Sequence, residues 1–184
     1  FEDLRSQKTV DRVTTEHYWV NDEIWLDKEA DKTISYTHGL KLIESDYGWY
    51  LYNGHQDVVQ VVKDGSVIAR YDYDAYGMAR NKLQREEQDE SDHNPYRYSG
   101  EYEDRESKYL YLRARYYDPE LGRFLNEDPI RDGDNWQVYG NGNPVRYHDP
   151  SGTSGLEVVG GLFALFGLLV TGVTYLSSVA RRHT

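Results

Sequence analysis

Three aspartates in the second half of the chain each stand directly before proline: Asp118, Asp128 and Asp149. Carboxylates brought close together can share one proton, because ionising both at short range is costly. The neutral one then donates while the charged one activates water, which is the chemistry of an aspartic protease. Arg115 lies in the same region, inside YLRARYYDPELGRFLNEDP (residues 111–129), a dense mixture of arginine, aspartate and aromatic residues. A plainer reading stands beside this one. Asp-Pro steps start turns well, with the carboxylate capping a backbone N–H, and Arg115 is equally suited to pair across a sheet. Sequence spacing alone does not bring these residues together.

Other chemistry is thinly represented. The histidines at 17, 38, 55, 93, 148 and 183 are scattered, with no i, i+4 pair and no cysteine to complete a zinc site. His148, beside Asp149, either tunes that carboxyl or is a solvated turn histidine; the turn-rich surroundings favour the latter. Asp132, Asp134 and Asn135 around Gly133 resemble a calcium loop but lack its bidentate glutamate, so an ordinary turn is expected. No phosphate-cradling glycine loop and no serine nucleophile motif occurs. Neither a metal nor a cofactor is expected.

These residues need elements to hold them. The 184 residues suffice for one ordinary domain, and a start at Phe1 suggests a C-terminal piece of something longer. Eighteen tyrosines against four phenylalanines favour strand surfaces with one wet edge, since tyrosine buries a ring yet needs a partner for its hydroxyl. The net charge is -11; Arg181 and Arg182 against Glu157 give residues 153–184 a net +1, leaving -12 on the first 152. Such a body repels a nucleic acid, so no nucleic-acid partner is expected.

Residues 1–80 read as short strands (HYWV, EIWL, KTISYT, KLIE, YGWYLY) broken by Asn21-Asp22, His38-Gly39 and Asn53-Gly54, which predicts an all-β fold. The clearest hairpin is DVVQVVKDGSVIARYDYD, where Asp64-Gly65 suits a two-residue turn. In RYDYDAYG, alternation sends Tyr71 and Tyr73 to one face and Asp72 and Asp74 to the other. Residues 81–93 hold too many charges to order by packing and read as an exposed loop. YLYLRARYY alternates throughout and is expected as one long strand ending at the Asp118-Pro119 turn. From Val158 to Val179 there is no charge, and a helix of that length would extend roughly 33 Å, about a bilayer's thickness. With Arg181 and Arg182 following, the expectation is a C-terminal α-helix anchoring the acidic body outside a membrane. Burial of that helix inside a hollow shell is the alternative.

RYDYDAYG, NPYRYSGEYEDRES, YLYLRARYYDPELGRFLNEDPI and NPVRYHDPSG, in that order, resemble the core domain of the Rhs and YD-repeat proteins over residues 70–152. The strands of 1–69 resemble degenerate YD repeats leading into it. The resemblance implies a spiral of β-hairpins forming part of a hollow shell, closed at one end by the Rhs core domain, with 153–184 as a hydrophobic tail. It implies upstream YD repeats and the chain's own C-terminal segment as partners, and a secreted or cell-surface location on a bacterium; it names no immunity protein. It also implies self-cleavage shortly after the DPxG signature, with Asp128 and Asp149 as the catalytic pair, Arg115 supporting them, and Gly152 and Thr153 at the cut edge. Two departures weigh against cleavage: Thr153 stands where the family has a large apolar residue, and the 32 residues after Gly152 are few for a toxin domain. A non-enzymatic envelope scaffold, or an inactive remnant, is the other expectation.

Overall fold

The computed structural model describes residues 4–80, 92–131, 134–153 and 156–157. The apolar segment 158–179, most of the charged loop and the centre of the acidic cluster (132–133) lie outside them. The described residues form strands and turns with two three-residue 3-10 turns, in line with the all-β expectation. Among them no helix is long and apolar enough to cross a membrane.

Eight strands form one antiparallel sheet in strict chain order: β1 (Gln7–Val10), β2 (Val13–Val20), β3 (Glu23–Glu29), β4 (Lys32–His38), β5 (Leu42–Ser45), β6 (Gly48–Tyr52), β7 (Val58–Lys63) and β8 (Ser66–Arg70). Sequential pairing follows from the short turns, which leave each strand no neighbour but the one just made. Asp64 and Gly65 both take positive φ, 51° and 75°, the signature of the turn expected there. Alternation sets the faces: Thr15 and His17 are buried while Glu16 and Tyr18 are exposed, and Ile34 and Tyr36 are buried either side of exposed Ser35. Tyr71 and Tyr73 continue the buried face, with Asp72 exposed between them.

A second antiparallel sheet has the order β12-β11-β10-β9, from β9 (Tyr102–Asp104), β10 (Tyr109–Leu112), β11 (Arg115–Asp118) and β12 (Arg123–Phe124). YLYLRARYY is therefore a hairpin and not the single long strand expected. Leu112 pairs with Arg115 across a two-residue turn whose first residue, Arg113, has φ 56°. A residue other than glycine holds that conformation here because its guanidinium is tied down: it donates to Glu101 and to the Pro150 carbonyl at 2.6 Å each, and to the Asp22 carbonyl at 2.9 Å. A short pair, β13 (Tyr147–His148) and β14 (Leu156–Glu157), flanks the DPSG turn.

One hydrophobic core joins the two large sheets. Ile24, Ile34, Tyr36, Tyr50, Val58 and Val61 from the first pack with Tyr96, Tyr102, Leu110, Leu112, Tyr117 and Phe124 from the second half. Several tyrosine hydroxyls find partners within and between the sheets, while that of Tyr73 is buried without one. Asp27 accepts from Tyr36 at 3.0 Å and lies 2.6 Å from His17 Nδ1, and Arg5 donates to Asp104 at 2.6 Å and to the Tyr116 hydroxyl at 2.8 Å.

Candidate functional site at the DPSG turn

Arg115 opens β11, and three features fix its guanidinium. It lies over Phe124 of β12, 3.6 Å from the ring centroid, and Phe124 is fully buried. Its Nη1 donates to the Trp136 carbonyl at 2.8 Å, and its Nε to the Gly152 carbonyl. Nη2 then faces both sequence-nominated carboxylates, Asp128 Oδ2 at 3.3 Å and Asp149 Oδ2 at 3.5 Å. All three residues are buried. The geometry thus unites residues that spacing left apart, because a planar fork of five N–H donors can serve several acceptors at once. Burial draws the guanidinium below its ordinary pKa, against the pull of Asp128 and Asp149.

Both readings of the Asp-Pro steps are visible, divided between the two oxygens of each carboxylate. Asp128 Oδ1 accepts from the Ile130 N–H at 2.8 Å, and Asp149 Oδ1 from the Thr153 N–H at 3.1 Å, which are turn caps. The Oδ2 atoms turn to Arg115. Asp118 caps its own turn, accepting from Glu120 at 2.8 Å and Leu121 at 3.1 Å.

The Gly152–Thr153 peptide is therefore held at both ends, its carbonyl on Arg115 and its N–H on Asp149. Gly152 sits at φ 70° against the β10–β11 turn, where an added Cβ would stand 2.4 Å from the Leu112 carbonyl oxygen and 3.0 Å from the Arg115 nitrogen. Ser151, which sequence reading passed over, donates to Asp149 Oδ1 at 3.0 Å and lies 2.9 Å from Thr153 Oγ1. Its only sequence signal was a hydroxyl two residues after a turn-capping aspartate.

His148 is not the solvated turn histidine expected. It is buried, packs edge-on against His55 with centroids 6.4 Å apart, and is lowered to about 4 by burial, with Lys41 and His55 adding to the effect. His55 itself was missed: its ring links the β6–β7 loop to Pro144, ahead of the DPSG turn. Among the described residues no cluster of three histidines, cysteines or acids could hold a metal ion.

A meander of hairpins sharing its core with a second, turn-rich sheet defines an all-β class of protein. No family model matches the chain. Its sequence is 38% identical over 179 residues to the tRNA(Glu)-specific nuclease WapA of Bacillus subtilis subsp. natto and 37% identical over 180 residues to the tRNA nuclease WapA of Bacillus subtilis strain 168. Each match covers 88% of this chain and 8% of the relative. The crystal structure of TcdB2-TccC3-Cdc42 shares the fold, with a TM-score of 0.57 and 21% identity over 83% of this chain and 8% of that one. The chain belongs to the Rhs/YD-repeat proteins and carries their Rhs repeat-associated core domain. It spans only a small part of the relatives' length.

Proposed function

We propose that residues 1–69 are the last YD-repeat hairpins and 70–152 the core that closes a β-shell, within a longer secreted or surface protein of a bacterium that carries a C-terminal segment. In this reading the core cuts its own chain beside Thr153. Arg115 polarises the Gly152 carbonyl, Asp149 exchanges the proton of the amide nitrogen, and Asp128 shares Arg115 with Asp149 as the second carboxylate of the pair. The observation that carries it is the placement of one guanidinium on Asp128, Asp149 and the carbonyl of the bond after DPSG.

Intact mass of the expressed chain, beside an Asp149→Asn variant and after extraction in mild detergent, tests the reading. A body ending at the DPSG edge in the parent, with a full-length variant, is the expected result. Full-length chain in both, co-fractionating with membranes, would leave instead a scaffold anchored through residues 158–179.

A further inference from the structure

The geometry points to Arg113 as a positioning residue for self-cleavage, one that lets the DPSG turn reach its cutting geometry only when the β2–β3 hairpin of the repeat sheet is seated. The inference rests on the self-cleavage reading and adds to it a second arginine and a condition on timing.

Three consecutive residues at the β10–β11 turn hold three consecutive carbonyls of the DPSG turn. Arg113 Nη1 donates to the Pro150 carbonyl at 2.6 Å, the Ala114 N–H to the Ser151 carbonyl at 3.3 Å, and Arg115 Nε to the Gly152 carbonyl. The register is continuous, so a slip at Pro150 is passed along the backbone to Gly152. Little slack is available there, because Gly152 already lies against the Leu112 carbonyl and the Arg115 nitrogen.

Arg113 also reaches the repeat sheet. Its Nε donates to the Asp22 carbonyl in the β2–β3 turn at 2.9 Å, and its Nη2 lies 3.7 Å from Glu23 Oε1 at the start of β3. The Nη1 that holds Pro150 donates to Glu101 as well, at 2.6 Å, and both of those side chains are only 8% exposed. Burial works to lower the guanidinium's pKa, but Glu101 and Glu23 outweigh it and leave it raised. One charged fork thus joins a hairpin of the first sheet to the segment that is cut, 91 positions separating Asp22 from Arg113. An intramolecular reaction loses about a hundredfold in rate from a misplacement of about 1 Å. The seating of the hairpin is therefore felt at the bond through the Pro150 carbonyl, and cutting follows docking of the repeat sheet instead of preceding it.

A fork that only stabilised the fold would change cutting and stability together, which separates the two roles. The full chain is expressed as wild type, Arg113→Gly, Arg113→Lys, Glu23→Lys, and Glu23→Lys combined with Arg113→Gly. Glycine accepts φ 56° freely, so Arg113→Gly removes the fork without straining the turn. Lysine keeps a charge beside Glu101 but lacks the planar fork that reaches Asp22 and Pro150 at once. Cutting is followed by intact mass at intervals after induction, and stability by urea midpoints with each change placed in the Asp149→Asn chain, so that whole chains are compared. Arg113→Gly is expected to slow cutting at least about tenfold, and Arg113→Lys to regain stability without regaining the rate. Glu23→Lys, a change confined to the repeat sheet, should slow cutting when Arg113 is present and add nothing once it is gone. Cutting of Arg113→Gly at the wild-type rate would overturn the inference while self-cleavage stands. So would a lysine variant in which rate and stability return together, or a Glu23→Lys effect that is the same with and without Arg113. A wild type that stays whole, like Asp149→Asn, would overturn both.

Discussion

The His55 ring bonds to the Pro144 carbonyl through Nε2 at 2.6 Å, while its Nδ1 lies 2.8 Å from Asp57 Oδ1. A carbonyl and a carboxylate can only accept, so satisfying both requires a proton on each ring nitrogen. The imidazolium stacks on Tyr98 and ties the repeat sheet to the segment leading into Asp149. Burial works to lower its pKa, but Asp57 and the Pro144 carbonyl outweigh burial and Lys41, leaving it raised.

A raised folded-state value means that the contribution of His55 is complete below its unfolded value and is lost as pH rises through the folded one. The expected outcome is that His55→Asn costs stability at pH 6 and progressively less at alkaline pH, read as the gap between urea midpoints of variant and parent. A gap constant from pH 6 to pH 9 would show the ring to be held by packing alone.

His148 has the opposite sign. Lowered to about 4, it folds neutral, so its contribution is present above the ordinary histidine value and is lost as pH falls toward 4. His148→Phe should flatten the parent's decline in stability between about pH 6.5 and 4. Unchanged acid sensitivity, measured by the same urea midpoints, would assign that decline to carboxyl groups instead.

Arg115 compensates two buried carboxylates at once, so truncation should cost more than an exposed ion pair. Arg115→Ala is expected to lower stability by about 3–5 kcal/mol, the range for leaving a buried charge without its partner. Arg115→Lys should recover only part of this, because an ammonium lacks the planar fork that reaches Trp136, Gly152 and both aspartates. Denaturant unfolding decides it: a lysine variant as stable as the parent would make the fork irrelevant.

What was legible in the sequence was local. Asp64-Gly65 announced its hairpin because the turn's demand for positive φ is met by the residues themselves. Arg113-Ala114 announced nothing: an arginine holds positive φ only through Glu101, Pro150 and Asp22, partners that the fold supplies. Arg115, Asp128 and Asp149 were nominated through the family motif, whereas their convergence belongs to packing on Phe124. His55 and Pro144 meet across 89 positions of sequence, and no periodicity encodes such a meeting. His148 was misread because polar, glycine-rich neighbours suggested solvent, while the ring of His55 lies against it.

Two glycines with almost the same φ separate strain from close approach. Gly65, at φ 75°, has nothing within 4 Å of an added Cβ, so Gly65→Ala should cost about 1–2 kcal/mol from the left-handed conformation alone. Gly152, at φ 70°, carries the same strain and also meets the Leu112 carbonyl oxygen at 2.4 Å, where two strands' worth of backbone must shift to make room. Gly152→Ala should therefore lose clearly more stability in urea than Gly65→Ala. The movement would carry the Gly152 carbonyl off Arg115, so release of the C-terminal segment should slow in Gly152→Ala and proceed normally in Gly65→Ala. Equal stability losses in the two variants would mean that the DPSG turn yields freely, and that its contact with β10 does not hold the peptide bond in place.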